Sequence, residues 1–229
     1  MTTSIDPNNA NQTPNIDQLI ADLDAADSSL GVIRAVVALA ATRSPAAIVK
    51  LIEVLRYNNP GAAVAAVDGL VAIGKPSVLP LLELLDGYNY GARAWAMRAL
   101  SQIGDPRAIE ALLEAMVDFS LSVRRAAAKG VGSLQWQHVA ATDLDGLRSR
   151  IIEALAQTVT DDEWVVRYAS VVGLQGVAQS LVEFPGSAEA ADLELGDRVL
   201  IELAGRQDHD TEAAVRVRAM LALTQLTLS

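Results

Sequence analysis

An all-α solenoid of about six helix pairs, stacked into a curved superhelix, is the fold class this sequence predicts. Three observations carry it. Pro45, Pro76 and Pro106, spaced by 31 and 30 residues, each open an apolar helical stretch. The second stretches that follow the first two prolines end alike, at Leu70 to Gly74 and Leu100 to Gly104. Arginines preceded by Val or Ala recur at one place in the second helices, at Arg93, Arg124, Arg167 and Arg216. A period of about 30 residues holding two helices is the mark of HEAT-like repeats.

The pairs follow in chain order. The first spans Asn15–Ala26 and Ser29–Thr42, the second Pro45–Tyr57 and Gly61–Ile73, the third Pro76–Asp86 and Tyr90–Ile103. The fourth spans Pro106–Asp118 and Leu121–Leu134, the fifth Asp145–Thr158 and Glu163–Gln179, the sixth Leu193–Gln207 and Thr211–Thr227. Ser44-Pro45 and Asp105-Pro106 set a capping side chain before a proline at the first helical position, where its missing N–H costs nothing. Gly74 and Gly104 close the preceding helices, where a left-handed residue is easiest for glycine. The acids of Asp161-Asp162-Glu163 suit a helix start, and Asp208-His209-Asp210 reads as a helix-boundary turn. Gly130 and Gly132, inside a helix, point to tight helix contact. The recurring arginines are 31, 43 and 49 residues apart, so the array loosens after Gly132. Two insertions account for this, Gln135–Asp143 and Val182–Ala191, and long loops of repeat proteins often carry the working face.

The chain has 229 residues, 51% hydrophobic and only 4% aromatic, which suits close helix packing. A net charge of −10 argues against a nucleic-acid partner. The absence of cysteine excludes disulfides, thiolate metal sites and a cysteine nucleophile. With two histidines, no metal site is expected. No apolar run approaches the roughly 20 residues of a membrane span. Residues 1–14 are polar, lack the pattern of a signal peptide and read as a disordered tail on a cytosolic protein. Residues 15–229 read as a single repeat domain.

The densest chemistry lies in Tyr88-Asn89-Tyr90-Gly91-Ala92-Arg93-Ala94-Trp95. Helical spacing separates Trp95 from Arg93 but puts Arg93 and Met97 on one face, with Tyr90 less directly aligned. The rings either fill the core or, with the guanidinium, line a flat, acidic, conjugated ligand. The repeated arginines allow two readings as well. They are rungs binding backbone or carboxylates of neighbouring repeats, or they are bidentate clamps for a ligand carboxylate. Arg124 with Arg125, and Arg167 beside Trp164 and Tyr168, are the best clamp candidates. His138, in the first insertion, is the weak candidate for moving a proton. No triad, phosphate loop or metal-binding helix is present in the spacing.

Three stretches resemble a known family. They are Asp86 to Leu100, containing Tyr-Asn-Tyr-Gly-Ala-Arg-Ala-Trp; Ile103-Gly104-Asp105-Pro106-Arg107-Ala108; and Asp118 to Gly130. Together they resemble the phycobilisome bilin lyases of the E/F type, most closely the F-type, or beta, subunits. The tyrosine-rich run is specific, whereas the Ile-Gly-Asp-Pro-Arg-Ala segment is shared with many HEAT-like repeats. The resemblance implies a subunit that pairs with an E-type partner and attaches phycocyanobilin by a thioether to a cysteine of the phycocyanin α-subunit. The bilin is then a bound substrate and no resident cofactor is implied. Tyr88, Asn89, Tyr90, Arg93, Trp95, Arg124, Arg125, Trp164, Arg167 and Tyr168 are the expected bilin contacts. The attacking thiol belongs to the acceptor, so a lyase without cysteine is consistent. Related F-type subunits that also isomerise the bilin carry a His-Cys pair, and this chain, lacking it, is expected to attach without isomerising. Competing readings are a non-enzymatic HEAT-like factor of phycobilisome degradation or assembly, and a general protein-binding scaffold.

Overall fold

The computed structural model describes residues 15–85, 90–186 and 189–228. The expected tail, 1–14, and the candidate contacts Tyr88 and Asn89 lie outside these residues. The described residues form twelve α-helices, paired as the sequence predicts, with short 3-10 turns between some of them. The chain divides into two compact units, Met1–Ser77 and Val78–Ser229.

In the first unit, α1 (Ile16–Asp24) pairs with α2 (Ser29–Ala41), and α3 (Ile48–Val54) with α4 (Pro60–Ile73). Asn15, Ser28 and Asn59 cap their helices through side-chain oxygens that accept backbone N–H groups. Asn59 also donates from Nδ2 to the Ser29 carbonyl, at 3.2 Å, so the starts of α2 and α4 are tied together. Lys50 bridges Asp24 and Glu53, and Glu53 accepts from Tyr57 Oη at 2.8 Å. Burial alone would lower the Lys50 ammonium, but these partners raise it above its ordinary value. Val36, Leu39, Leu51, Val67 and Leu70 are fully buried between the pairs. Each such side chain contributes about 1.5–3 kcal/mol.

In the second unit the pairs are α5 (Val78–Leu85) with α6 (Tyr90–Ile103), α7 (Ile109–Ala115) with α8 (Leu121–Val131), α9 (Leu144–Thr158) with α10 (Trp164–Glu183), and α11 (Glu189–His209) with α12 (Ala213–Thr227). The second helices α6, α8, α10 and α12 pack against one another in that order. Leu100, Leu112, Ile151, Leu155, Leu174 and Leu203 fill the layer beneath them.

The boundaries differ from expectation in three places. The prolines open 3-10 turns, not α-helix: Ser44 Oγ accepts from Ala46 N at 3.3 Å and Asp105 Oδ1 from Arg107 N at 3.0 Å. A cap that reaches only two residues ahead favours the tighter turn, and Ala47 and Ala108 donate three residues back to Ser44 and Asp105. The first insertion carries two further 3-10 turns, Trp136–His138 and Ala141–Asp143. The second is shorter than predicted. Helix α10 runs to Glu183, and α11 begins at Glu189, where Glu189, Ala190, Ala191 and Asp192 are good helix-start residues. Gly104 has φ +67° as expected, and a Cβ there would lie 2.3 Å from the Ser133 carbonyl oxygen.

Candidate functional site

The recurring arginines of the second unit form a ladder. Arg124 donates to both carboxylate oxygens of Asp161, at 2.7 and 3.0 Å, and to the carbonyls of Asp118 and Phe119 in its own turn. Arg167 repeats this, with both oxygens of Asp210 at 2.9 Å and the carbonyls of Asp161 and Asp162. Arg93 pairs with Asp118 at 2.9 Å, and Arg216 donates to the carbonyls of Asp210 and Thr211. Each aspartate also closes the turn before its helix: Asp118, Asp161 and Asp210 accept from the N–H two residues on, in the N-cap residues Ser120, Glu163 and Glu212. Burial alone would raise the Asp161 and Asp210 carboxyls, but the guanidiniums outweigh it and hold both below the ordinary carboxylate range. One arginine thus binds the turn of its own repeat and the carboxylate of the next.

The ladder sorts the expected contacts into two groups. Arg93, Arg124 and Arg167 are the rungs, so the reading of these arginines as inter-repeat rungs describes their contacts. Their neighbours face elsewhere. Counting from each rung, Leu121 and Trp164 occupy one position, and Arg125, Tyr168 and Val217 another; Tyr90 takes the first of these positions by helix register. All five described side chains are exposed, Trp164 by 43% and Tyr168 by 37%. Because α8, α10 and α12 are packed neighbours, these residues make a band of rings, aliphatic groups and one cation. Trp95 is half-buried, with the Arg98 guanidinium 5.6 Å above its ring. It does not share the face of Arg93, as the spacing required. Arg93 and Met97 line a separate open cavity of about 400 Å³ with Leu79, Leu82, Glu83, Leu85, Ala111 and Glu114.

His138 is exposed on the turn that follows buried Trp136. Sequence reasoning missed the residue that holds this insertion. Arg148, on α9, is fully buried, with its guanidinium 5.4 Å from the Trp136 ring. It donates to Ser180 Oγ at 3.2 Å, to the Ser180 carbonyl at 2.6 Å and to the Phe184 carbonyl, and pairs with Asp192 at 3.4 Å. Asp192 in turn accepts from Gly186 N at 2.7 Å. Burial pushes the Arg148 guanidinium below its ordinary value against the pull of Asp192 and Asp145. Both insertions are therefore pinned to one side chain. Nothing in the local pattern around Arg148 sets it apart from a solvated helix arginine. The ladder, in contrast, was visible as Asp-x-x-x-x-x-Arg at Asp118, Asp161 and Asp210.

Among the described residues no cluster of His, Asp and Glu could hold a metal ion, and no single helix is long and apolar enough to cross a membrane. The HEAT repeats family matches residues 60–133 and 78–175. A phycocyanin alpha phycocyanobilin lyase, CpcF, of Synechocystis is 54% identical over 168 residues, 73% of this chain and 78% of the relative. A phycocyanobilin lyase subunit beta of Nostoc is 40% identical over 209 residues, 91% of this chain and 98% of the relative. Among solved structures, the complex of CpcE and CpcF of phycocyanin lyase from Nostoc contains a chain similar to this one. The TM-score is 0.68 at 42% identity, covering 79% of this chain and 99% of that one.

Proposed function

Because this chain belongs to the family of phycocyanobilin lyase beta subunits, we propose that it is one subunit of a heterodimeric lyase, active with an E-type partner. The pair binds phycocyanobilin and joins it by a thioether bond to a cysteine of the phycocyanin α-subunit. The observation that carries this is the 54% identity to a phycocyanin alpha phycocyanobilin lyase over 73% of the chain. It favours the lyase over a degradation factor or a scaffold.

The reaction is a net addition of S–H across a carbon–carbon double bond. The acceptor thiolate attacks the ethylidene carbon of the bilin and the C–S bond forms. The electron pair of the double bond passes into the conjugated ring system, which takes up a proton. No oxidant or reductant is needed. This chain lends position more than reactive groups: a bilin held with its ethylidene carbon against the thiol reacts as if intramolecular. The exposed band on α8, α10 and α12 suits such a ligand. Trp164 and Tyr168 offer ring faces, Leu121 and Val217 an apolar floor, and Arg125 a cation for a propionate. Tyr90 continues the band by register, and Tyr88 and Asn89, next to it in the sequence, are proposed as further contacts. The rungs Arg93, Arg124 and Arg167 act by holding the helices in register, and Trp95 is half-buried against Arg98. The proton donor proposed on this chain is His138. An unchanged rate in His138→Ala would hand that role to the partner subunit or the acceptor. Because the family acts on cyanobacterial phycocyanin, we also propose the cytosol as the place of action.

The test is co-production with a phycocyanin α-subunit, phycocyanobilin and an E-type subunit, omitting each in turn, read as zinc-enhanced bilin fluorescence on a denaturing gel. Covalent bilin is expected only when both subunits are present. Binding without a covalent product would favour the degradation or assembly reading. The expected product is phycocyanobilin; phycoviolobilin on the acceptor would refute the expectation of attachment without isomerisation.

A further inference from the structure

Arg218 is a partly buried arginine of the second unit whose side-chain partner is a neutral amide. Two residues past the recurring arginine, α6 carries Trp95, α8 and α10 carry Ala126 and Ala169, and α12 carries Arg218. Alanine lets neighbouring helices close up; arginine wedges them. Arg93, Arg124, Arg148 and Arg167 each hold a carboxylate. Arg218 holds none among the described residues. Its Nη2 donates to the neutral side-chain oxygen of Gln175, and its Nη1 is buried without a hydrogen bond. Gln175 is itself held by Gln225, at 2.7 Å. Burial pushes the guanidinium below its ordinary value, and Tyr168 is the one titratable group that acts against this. An unpaired, half-buried cation is costly, and its natural complement is an oxyanion.

We infer that Arg218, at the mouth of the seam between α10 and α12, is an anchor for a propionate carboxylate of the bilin, resting on the function proposed above. Three features agree on this chemistry. The guanidinium is tethered by a single bond to an amide, so an arriving carboxylate turns it outward at the loss of one hydrogen bond. Tyr168 and Trp164 lie on the same helix as Gln175 and are exposed, so a ring system stacked on them brings its acidic side chains to the seam. Val217 and Leu221, 59% and 46% exposed, give the other wall an apolar surface. A carboxylate can make two parallel bonds to this guanidinium, which would fix the long axis of the bilin along the helices.

The test uses the complete heterodimer and compares free phycocyanobilin with its dimethyl ester, titrated by bilin absorbance against wild type, Arg218→Gln and Arg218→Lys. A charge-assisted hydrogen bond lost from a partly buried site weakens binding about ten- to hundredfold. Wild type is expected to bind the free acid that much more tightly than the ester. Arg218→Gln is expected to lose affinity for the acid and little for the ester, and Arg218→Lys to recover part of the loss. Equal losses for acid and ester, or none for either, would overturn the inference while leaving the lyase reading intact. So would a variant that binds bilin normally but loses the apo-phycocyanin α-subunit, since the anion would then be the acceptor's. Failure of the wild-type heterodimer to bind either compound would overturn the lyase reading as well.

Discussion

Helix α10 faces two neighbours, α8 and α12, across equivalent interfaces, and meets them with different materials. Toward α8 it presents Gly173 and Gly176. A Cβ on Gly173 would lie 2.3 Å from the Ala128 carbonyl oxygen, and one on Gly176 2.1 Å from that of Gly132. Backbone meets backbone there, with the Leu155 side chain of α9 beside Gly173. Toward α12, α10 presents Gln175, and the space is occupied by Arg218 and Gln225. The first seam is built to be closed for good. The second contains a charge held by a neutral partner. The same repeat unit thus yields a joint of backbone or one filled by polar side chains according to one or two residues, while the arginine ladder keeps the register common to both.

The largest effect is expected at the closed seam. Gly173→Val puts side-chain atoms where the Ala128 backbone carbonyl stands, and backbone cannot swing aside as the neighbouring Leu155 side chain can. A loss of at least about 3 kcal/mol in urea unfolding is expected; a loss under 1 kcal/mol would mean that the seam can open. Next comes the ladder. Arg167→Ala leaves Asp210, buried and charged, with only the more distant Arg206 at 3.8 Å and should cost about 3 kcal/mol. Asp210→Ala should cost a similar amount, and the double variant less than the sum of the two. Additive losses would show that the rung is not one unit.

Acid should act on the ladder and spare the polar seam. The Asp161 and Asp210 carboxyls sit below their ordinary value in the folded chain. Their contribution is therefore complete above the unfolded carboxylate range, near about pH 4. It fades as pH falls through the lower folded values. Unfolding midpoints measured from pH 6 downward should decline for wild type and more shallowly for Arg167→Ala. The smallest effect on stability belongs to the polar seam. Arg218→Met removes an unpaired cation and should change stability by less than about 1 kcal/mol in either direction. A large loss there would mean that the two seams are alike after all.

Much of this contrast was legible in the sequence, but unevenly. Prolines, glycines and the Val-Arg or Ala-Arg steps located the second to sixth helix pairs, because capping and backbone geometry act over a few residues. Gly130 and Gly132 were readable as contact glycines for the same reason. Gln175 and Arg218 were not readable, since their meaning comes from two helices 43 residues apart in the chain. Of the expected contacts, Arg125, Trp164 and Tyr168 came together on one exposed band. Arg124 and Arg167, which looked equally suited to a ligand, are bound to Asp161 and Asp210. Asp161 was noticed as a helix-start acid and Asp210 as part of a helix-boundary turn, one half of their role. The 3-10 openings at Pro45 and Pro106 escaped a reading that treats proline as an α-helix start without asking how far the cap reaches.

Arg148 has a consequence for how members of this family can be recombined. A loop in a repeat protein is usually free to lengthen or shorten, since each connector answers only to its own pair. Here two connectors share a single anchor: Trp136 lies against its guanidinium, while the Ser180 and Phe184 carbonyls and Asp192 take its protons. A chimera that exchanges one connector with a relative and keeps the other should lose the register of both. One that exchanges the two together with α9 should fold. The unit of exchange in this part of the chain is therefore a pair of loops and the helix between them.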